Sequence, residues 1–112
     1  SDPDPSSALT NMLAYSKKYP TRPEAYNILG YLYLQKKDIA TAKTYFEKYI
    51  QSYPAGYNPH DSMGEFYYLT GDMENSKKSY TRALEQYPFC VSSLKKMEEL
   101  KKAESVASAT PK

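Results

Sequence analysis

Three consecutive residues, His60, Asp61 and Ser62, are of the types that form a catalytic triad for nucleophilic hydrolysis. A working triad requires the three side chains to converge on one another. The surrounding pattern predicts a helix, in which successive side chains point about 100° apart and cannot converge. We therefore predict that the chain is not an enzyme and has no catalytic residue.

The remaining reactive side chains do not form the pattern of a metal or cofactor site. The chain has one histidine and one cysteine, Cys90, which is too few for a His-rich or multi-cysteine metal site. Glu98-Glu99 and the other carboxylates lack the apolar pocket that would raise the pKa of a carboxyl group for acid–base catalysis. No glycine-rich phosphate loop is present. We expect no metal and no cofactor.

Length and charge restrict the class of partner. A chain of 112 residues with 40% hydrophobic and 25% charged content fits one globular domain. The formal net charge of +2 is too close to balance to indicate nucleic-acid binding. No apolar run approaches the roughly 20 residues that span a bilayer. We expect neither a nucleic-acid partner nor membrane insertion, and the compartment remains open.

An internal repeat indicates which secondary-structure elements the chain forms. A Tyr-Pro pair occurs three times, at residues 19–20, 53–54 and 87–88, and successive pairs are 34 residues apart. The same offset relates Gly30 to Gly64 and Tyr33 to Tyr67. A fixed period of this size is typical of architectures whose units must stack to bury their apolar faces.

The period and its punctuation resemble the tetratricopeptide repeat. The first full unit matches the family pattern at Tyr26, Leu29-Gly30, Tyr33, Ala42, Phe46 and Pro54. The second unit has the same spacing, with His60 in place of the usual aromatic residue and Ser76 in place of the usual alanine. The resemblance implies an all-α fold of antiparallel helix hairpins, stacked in a short right-handed superhelix. It also favours a packing role for His60.

The positions of the prolines and of the capping residues predict helices over residues 5–19, 23–36, 39–53, 59–70, 73–87 and 91–103. Asp4, Asp38, Asn58 and Asp72 are predicted N-caps, and Gly71 is a predicted left-handed C-cap. Domain boundaries follow from the repeat register. We expect an N-terminal extension over residues 1–6, a half-repeat over 7–22, repeats over 23–56 and 57–90, a closing helix over 91–103 and a flexible tail over 104–112.

Two features of the helices concern packing. Gly30 and Gly64 lie inside helices, where glycine costs about 1 kcal/mol relative to alanine, so a close helix contact is expected, with Ala42 and Ser76 facing them. On the closing helix, an apolar stripe is predicted to cover the helix that ends at Tyr87. The stripe consists of Val91, Leu94, Met97 and Leu100.

The resemblance implies a binding surface, because the first helix of each unit in this family lines a concave groove that takes a peptide or partner segment. By position, the groove residues are Asn27, Tyr31, Leu34, Asp61, Glu65, Tyr68 and Lys95. The two carboxylates favour a neutral to basic segment. The alternative is that these are ordinary exposed residues of a spacer.

A subset of the family binds acidic chaperone tails through lysines, an arginine and asparagines. The corresponding positions here are Asn27, Tyr31, Ser62, Ser92 and Lys96. They contain one cation, so we expect that a chaperone tail is not the partner.

Two alternative functions remain open. Residues 58–65 with Gly71-Asp72 resemble repeat segments at the C-terminal end of some bacterial serine hydrolases, so the chain could be an accessory domain of such an enzyme. An uncapped end could also make the chain a self-association module, that is, a homo-oligomer.

Overall fold

In the computed structural model, the backbone is described for residues 5–109 and the side chains for residues 6–106. These residues form six helices and no strand: α1 (Pro5–Lys18), α2 (Glu24–Gln35), α3 (Ile39–Ser52), α4 (Tyr57–Leu69), α5 (Met73–Gln86) and α6 (Val91–Ala109). The chain divides after Pro54 into two compact units, with α1 to α3 in the first and α4 to α6 in the second. The predicted all-α class is confirmed, and the hand of the superhelix stays a prediction.

Side-chain caps begin two of the helices as predicted. The Asp38 carboxylate accepts a hydrogen bond from the backbone N–H of Thr41 at 3.3 Å, and that of Asp72 accepts one from Asn75 at 3.1 Å. The predicted cap at Asn58 is wrong, because α4 begins at Tyr57, two residues before the predicted start, and Gly56 is its N-cap. Pro59 then lies in the first turn, where its missing N–H removes no helical hydrogen bond. Asp4 lies outside the described residues.

The turns that close α2 and α4 share one hydrogen-bonding pattern. Lys37 N–H donates to Leu34 O at 3.0 Å and Asp38 N–H donates to Tyr33 O at 3.0 Å. In the second unit, Gly71 and Asp72 donate in the same way to residues 68 and 67. Both turns need a left-handed residue. Gly71 supplies it with φ +88°, as predicted, whereas Lys37 supplies it with φ +65°.

Replacing Lys37 with glycine is therefore expected to stabilise the protein. A left-handed conformation costs a residue with a Cβ roughly 1–2 kcal/mol, and glycine avoids this cost. Glycine also loses more conformational entropy on folding, which offsets roughly 0.5–1 kcal/mol of the stabilisation. We expect Lys37→Gly to raise the free energy of unfolding by about 0.5–1 kcal/mol in urea denaturation. The matched variant Gly71→Ala has open space around its new Cβ and should lose about 1 kcal/mol through backbone strain alone. A neutral or destabilising Lys37→Gly would contradict this account.

Each glycine inside a helix lies against an aromatic ring of the following helix. A Cβ built on Gly30 would be 2.7 Å from the ring of Phe46, and one built on Gly64 would be 2.8 Å from the ring of Tyr80. Both rings are almost completely buried. The predicted close contact is present, and the atoms nearest to the Cβ position of Gly30 belong to the Phe46 ring. In the second unit the predicted partner does contribute, because Ser76 Oγ donates a 2.8 Å hydrogen bond to Gly64 O.

The closing helix differs from the prediction in its buried face and in its length. Leu100 is 4% exposed, but Val91 and Leu94 are 61% and 47% exposed. The buried side instead begins with Cys90 and Ser93, because the contacts at the start of α6 set its rotation about its own axis. The predicted end at residue 103 is also wrong. No proline lies between Val91 and Pro111, so the helix continues to Ala109, and Glu104 pairs with Lys77 of α5.

Candidate functional site

In the first unit, the predicted site residues Asn27, Tyr31 and Leu34 lie on one face of α2 and are half-buried. The ring of Tyr31 meets the ring of Phe46 edge-on, with centroids 5.0 Å apart. The Oδ1 atom of Asn27 is buried and has no hydrogen-bond partner among the described residues. The side chains on this face of α2 are therefore only partly accessible to a partner, and Tyr31 packs on the core as well as contributing to the surface.

In the second unit, the predicted site residues Asp61, Glu65 and Tyr68 follow one face of α4 and are half-buried, while Lys95 of α6 is exposed. Helix α6 comes close enough to α4 to contact two of these residues, as described below. The structure thus brings Asp61 and Tyr68 together with the start of α6. Each of these contacts occupies part of the Asp61 or Tyr68 side chain that a partner would otherwise bind.

Asp61 binds the start of α6. Its Oδ1 atom accepts hydrogen bonds from Ser93 Oγ at 2.6 Å and from Ser92 Oγ at 2.9 Å. The thiol of Cys90 makes a longer contact of 3.9 Å with the same oxygen. Ser93 is fully buried, so its hydroxyl depends on this acceptor. Asp61 is therefore a structural link between α4 and α6, a role that sequence reasoning missed.

Removing the Asp61 carboxylate is expected to destabilise the second unit. Asp61→Ala leaves the buried Ser93 hydroxyl without its acceptor, and an unsatisfied buried polar group costs about 1–3 kcal/mol. Asp61→Asn retains an acceptor oxygen and should lose less. The measurement is urea denaturation, with Glu85→Ala as the control, because Glu85 is an exposed carboxylate on α5. Equal stability of Asp61→Ala and Glu85→Ala would show that the link to α6 contributes nothing.

One face of the Tyr68 ring is covered by a cation from α6. Lys96 Nζ lies 4.3 Å from the ring centroid, which is within the range of a cation–π interaction. The same ammonium group is 3.4 Å from Glu99 Oε2. Lys96 is the one cation at the positions that correspond to a chaperone-tail clamp, and it is already paired twice within its own unit.

A cavity of about 400 Å³ lies between α1 and α2, and sequence reasoning did not anticipate it. Arg22 Nη1 donates a 3.2 Å hydrogen bond to Tyr15 Oη, and the guanidinium lies 4.7 Å from the centroid of the Tyr19 ring. The hydrogen bond to Tyr15 raises the pKa of Arg22 above its ordinary value, so the side chain remains cationic. The lining combines this group with one carboxylate and apolar side chains: Met12, Tyr15, Arg22, Glu24, Ala25 and Ile28.

A stack of tyrosines on α2 and α3 accounts for part of the high tyrosine content. Tyr45 stacks on Tyr33 with ring centroids 5.5 Å apart and on Tyr26 with centroids 6.3 Å apart. Burial raises the pKa of Tyr45, and the neighbouring tyrosines add to the effect. The Tyr26 hydroxyl donates a 2.7 Å hydrogen bond to Pro20 O. These contacts indicate packing rather than recognition.

The residues first considered for chemistry do not form a reactive site. His60 and Ser62 are buried in α4, and the carboxylate between them binds the serines of α6. Among the described residues, no group of three or more His, Cys, Asp or Glu side chains is placed to hold a metal ion. No described helix is long and apolar enough to cross a membrane.

Solved structures with a similar fold come from several proteins. The first tetratricopeptide domain of human RPAP3, solved by NMR, is 16% identical over 96% of this chain and 84% of that chain, with a TM-score of 0.81. The first such domain of Spaghetti (RPAP3), bound to the HSP90 peptide SRMEEVD, is 17% identical over 90% of this chain and 80% of that chain, with a TM-score of 0.79. At these identities the likeness concerns the fold alone.

The crystal structure of MamA is 16% identical over 90% of this chain, with a TM-score of 0.79, and this chain spans 59% of the MamA chain. No curated protein sequence matches the chain significantly. A family model described as the tetratricopeptide repeat matches residues 23–55 and 60–90, which together make up more than half of the chain. These two matches coincide with the 34-residue units and their helix hairpins, and the chain therefore belongs to the tetratricopeptide repeat family.

Proposed function

We propose that the chain is a non-catalytic scaffold that binds a peptide or partner segment through the first helices of its repeats. The observation that carries the proposal is that two complete tetratricopeptide repeats are present, with partly exposed tyrosines on α2 and α4. Repeats of this family generally act as interaction modules. Support also comes from the similar domain of Spaghetti, which holds a peptide.

The proposed contact residues are Asn27, Tyr31 and Leu34 on α2, Glu65 and Tyr68 on α4, and Lys95 on α6. Tyrosine suits such a surface because it offers a large contact area and a hydroxyl group at a low entropy cost. Asp61 is removed from the recognition set, because its carboxylate is bound to Ser92 and Ser93. The proposed preference for a neutral to basic segment then depends on Glu65.

We propose further that an acidic chaperone tail is not the ligand. Of the five positions that correspond to the clamp, Ser62 is buried and Ser92 is bonded to Asp61. Lys96 is held by Tyr68 and Glu99. A tail carboxylate would have to displace these internal partners, and the only cation would lose its cation–π contact.

The test is a kinetic binding assay against the partner that a pull-down returns. Tyr31→Ala and Tyr68→Ala are expected to speed dissociation by about tenfold, because aromatic anchors act mainly on the dissociation rate. Glu65→Lys should slow association at low salt and flatten its salt dependence. Asp61 is left unchanged, since its replacement would disturb α6.

Glu47→Lys is the matched control for Glu65→Lys, because Glu47 is an exposed carboxylate on α3. We expect this control to leave both rate constants near those of the wild type. If only the α3 variant weakens binding while the tyrosine variants bind normally, the α2 and α4 faces are not the binding surface. The domain is then better described as a spacer that binds through its second helices.

A further inference from the structure

Three tyrosines share one position of the repeat, and each has a different environment. Tyr19, Tyr53 and Tyr87 are 34 residues apart, and each precedes a proline. Tyr19 has a neighbouring tyrosine ring and two cations. Tyr87 has neighbouring rings but no cation among the described residues, and Tyr53 has neither. The environment of Tyr19 therefore indicates what Tyr87 could bind.

In the first unit, Tyr15 and Tyr19 form a tilted pair of rings that holds an arginine. The ring centroids are 5.0 Å apart at an interplanar angle of 50°. The guanidinium carbon of Arg22 lies 4.7 Å from the centroid of Tyr19, and Nη1 of Arg22 donates a 3.2 Å hydrogen bond to Tyr15 Oη. The planar guanidinium thus makes a cation–π contact with one ring and a hydrogen bond with the hydroxyl group of the other.

In the second unit, Tyr57 and Tyr87 form a ring pair of nearly the same geometry. Their centroids are 5.1 Å apart at an interplanar angle of 43°. Among the described residues, no cation lies over either ring and no group forms a hydrogen bond with either hydroxyl. The position that corresponds to Arg22 is occupied by Cys90, which is buried. This pair therefore has the geometry that holds an arginine in the first unit, without the arginine.

Exposure distinguishes the two ring pairs in the same way. Tyr57 is 39% exposed and Tyr87 is 43% exposed, whereas Tyr15 and Tyr19 are half-buried with Arg22 in place. The rings of the second pair are therefore accessible to a side chain from outside the chain.

The backbone fixes both rings of the second pair before any ligand binds. Pro88 disfavours a helical conformation at Tyr87, which ends α5 with an extended backbone. Cys90 N–H donates a 3.1 Å hydrogen bond to Tyr87 O, and this bond closes the turn to α6. Tyr57 is the first residue of α4. Because both rings are attached to helix ends, binding requires little ordering of the site.

The charge around the Tyr57–Tyr87 pair favours a cationic ligand. Residues 55–61 and 83–94 contain two carboxylates, Asp61 and Glu85, and neither lysine nor arginine. Glu85 is exposed in the last turn of α5 and pairs with no described cation. A carboxylate two residues from Tyr87 attracts a guanidinium group to the rings.

An apolar surface adjoins the ring pair. The Phe89 ring meets the Tyr87 ring at a centroid distance of 6.0 Å and an angle of 68°. Phe89 is 74% exposed and Val91 is 61% exposed. A free arginine molecule would leave this surface in water, whereas a polypeptide with an apolar residue beside its arginine would cover it. The apolar surface therefore favours a protein segment as the ligand.

We propose that the Tyr57–Tyr87 pair binds an arginine side chain from a segment of a partner protein, in the geometry by which Tyr15 and Tyr19 hold Arg22. The guanidinium lies over the Tyr87 ring and donates a hydrogen bond to Tyr57 Oη. An apolar residue beside the arginine packs on Phe89. None of these residues belongs to the contact set proposed above on α2, α4 and α6.

A second copy of this chain is a poor source of the arginine. The chain has two arginines, and Arg22 is already held by Tyr15 and Tyr19. Arg82 lies on α5, where Lys78 and Glu85 are its neighbours on the same helix face. Neither neighbour is an apolar residue that could cover Phe89.

The first test uses the peptide acetyl-Gly-Arg-Leu-Gly-amide as the probe. Titrated into the full chain at millimolar concentrations and followed by NMR, it should shift the ring signals of Tyr57, Tyr87 and Phe89. Replacing the arginine with citrulline removes the charge but keeps the planar shape and should weaken binding about threefold or more. A lysine peptide should also bind more weakly, because an ammonium group has no planar fork. A citrulline peptide that binds as well as the parent would overturn the proposal.

Variants of the rings test the site from the side of the protein. Tyr87→Leu keeps apolar area but removes the aromatic face, so it should weaken binding of the arginine peptide about fivefold or more. Tyr57→Phe removes only the hydroxyl acceptor and should weaken binding about threefold. Tyr53→Leu is the matched control, because Tyr53 shares the repeat position of Tyr87 and is 47% exposed without a neighbouring ring. Equal losses in Tyr87→Leu and Tyr53→Leu would show unspecific adhesion and overturn the proposal.

The charge requirement has its own variant. Glu85→Lys should weaken binding of the arginine peptide several-fold at low salt, and the difference from the wild type should shrink at high salt. Glu47→Lys is the control, because Glu47 is an exposed carboxylate of the first unit. Equal affinities of the two variants would contradict an electrostatic contribution from the second unit.

The first unit provides a test of the shared geometry. Arg22→Gln vacates the Tyr15–Tyr19 pair, so the arginine peptide should then shift the ring signals of Tyr15 and Tyr19 as well. The wild-type chain should show no such shift. A variant that gains no second site would show that a tilted tyrosine pair does not suffice, and this result would overturn the proposed geometry.

Two further outcomes keep this proposal distinct from the binding role of α2 and α4. Tyr31→Ala and Tyr68→Ala should bind the arginine peptide normally, so failure of that role leaves the arginine site intact. Sedimentation of the wild-type chain should show a monomer. Self-association that is lost in both Arg82→Gln and Tyr87→Leu would identify the ligand as a second copy and overturn the assignment to a partner protein.

Discussion

Replacing Gly30 or Gly64 with leucine is expected to lower the free energy of unfolding by about 1–3 kcal/mol. The added side chain has no room, because a Cβ alone would be 2.7 to 2.8 Å from a ring of the next helix. Phe46 and Tyr80 are almost completely buried, so neither ring can move aside without disturbing the core. Alanine at either position should also destabilise, although alanine is favoured over glycine by about 1 kcal/mol in an exposed helix.

The repeat supplies a matched control for these glycine variants. Glu98 occupies the corresponding position of α6 and is exposed. Glu98→Leu should therefore change the free energy of unfolding by no more than about 0.5 kcal/mol. Urea denaturation of the three variants tests the argument. Wild-type midpoints for Gly30→Leu and Gly64→Leu would show that the two helices can separate at little cost.

Removing residues 91–112 is expected to make the chain associate or lose solubility. The deletion uncovers the surface of α4 and α5 on which α6 packs, and an exposed apolar patch promotes association. It also removes both serine donors of Asp61 and the Glu104 partner of Lys77. Light scattering and urea denaturation of the truncated and full chains provide the comparison. A truncated chain that stays monomeric and equally stable would show that α6 contributes little.

A point variant keeps this prediction testable if the truncated chain fails to fold. Leu100 is buried, and Leu100→Ala should cost about 2–4 kcal/mol through lost burial and the cavity left behind. Leu94 lies on the same helix but is largely exposed, so Leu94→Ala is the control and should have a small effect. Equal effects of the two variants would contradict the observed orientation of α6.

The sequence by itself determined the elements and their repeat. Helix starts at Asp38 and Asp72 and the left-handed turn at Gly71 depend on contacts within a few residues, so local spacing was enough to predict them. The 34-residue period related the two hairpins and placed Gly30 and Gly64 at close contacts. Asn27, Tyr31 and Leu34 also lie on one face of α2, because helical spacing alone fixes that arrangement.

Only the tertiary structure decided how the helices turn toward one another. Asp61 was predicted as a recognition charge, but its partners lie 31 and 32 residues away, and no local pattern reports them. Val91 and Leu94 were predicted to be covered together with Leu100, yet α6 is rotated so that Leu100 is buried, Val91 and Leu94 are exposed, and Ser93 is buried as well. The cavity between α1 and α2 was not predicted either, because its lining comes from two helices and the turn between them. In each case the reason is the same: a repeat assigns a residue to a position, whereas its neighbours are set by the packing of helices that are distant in sequence.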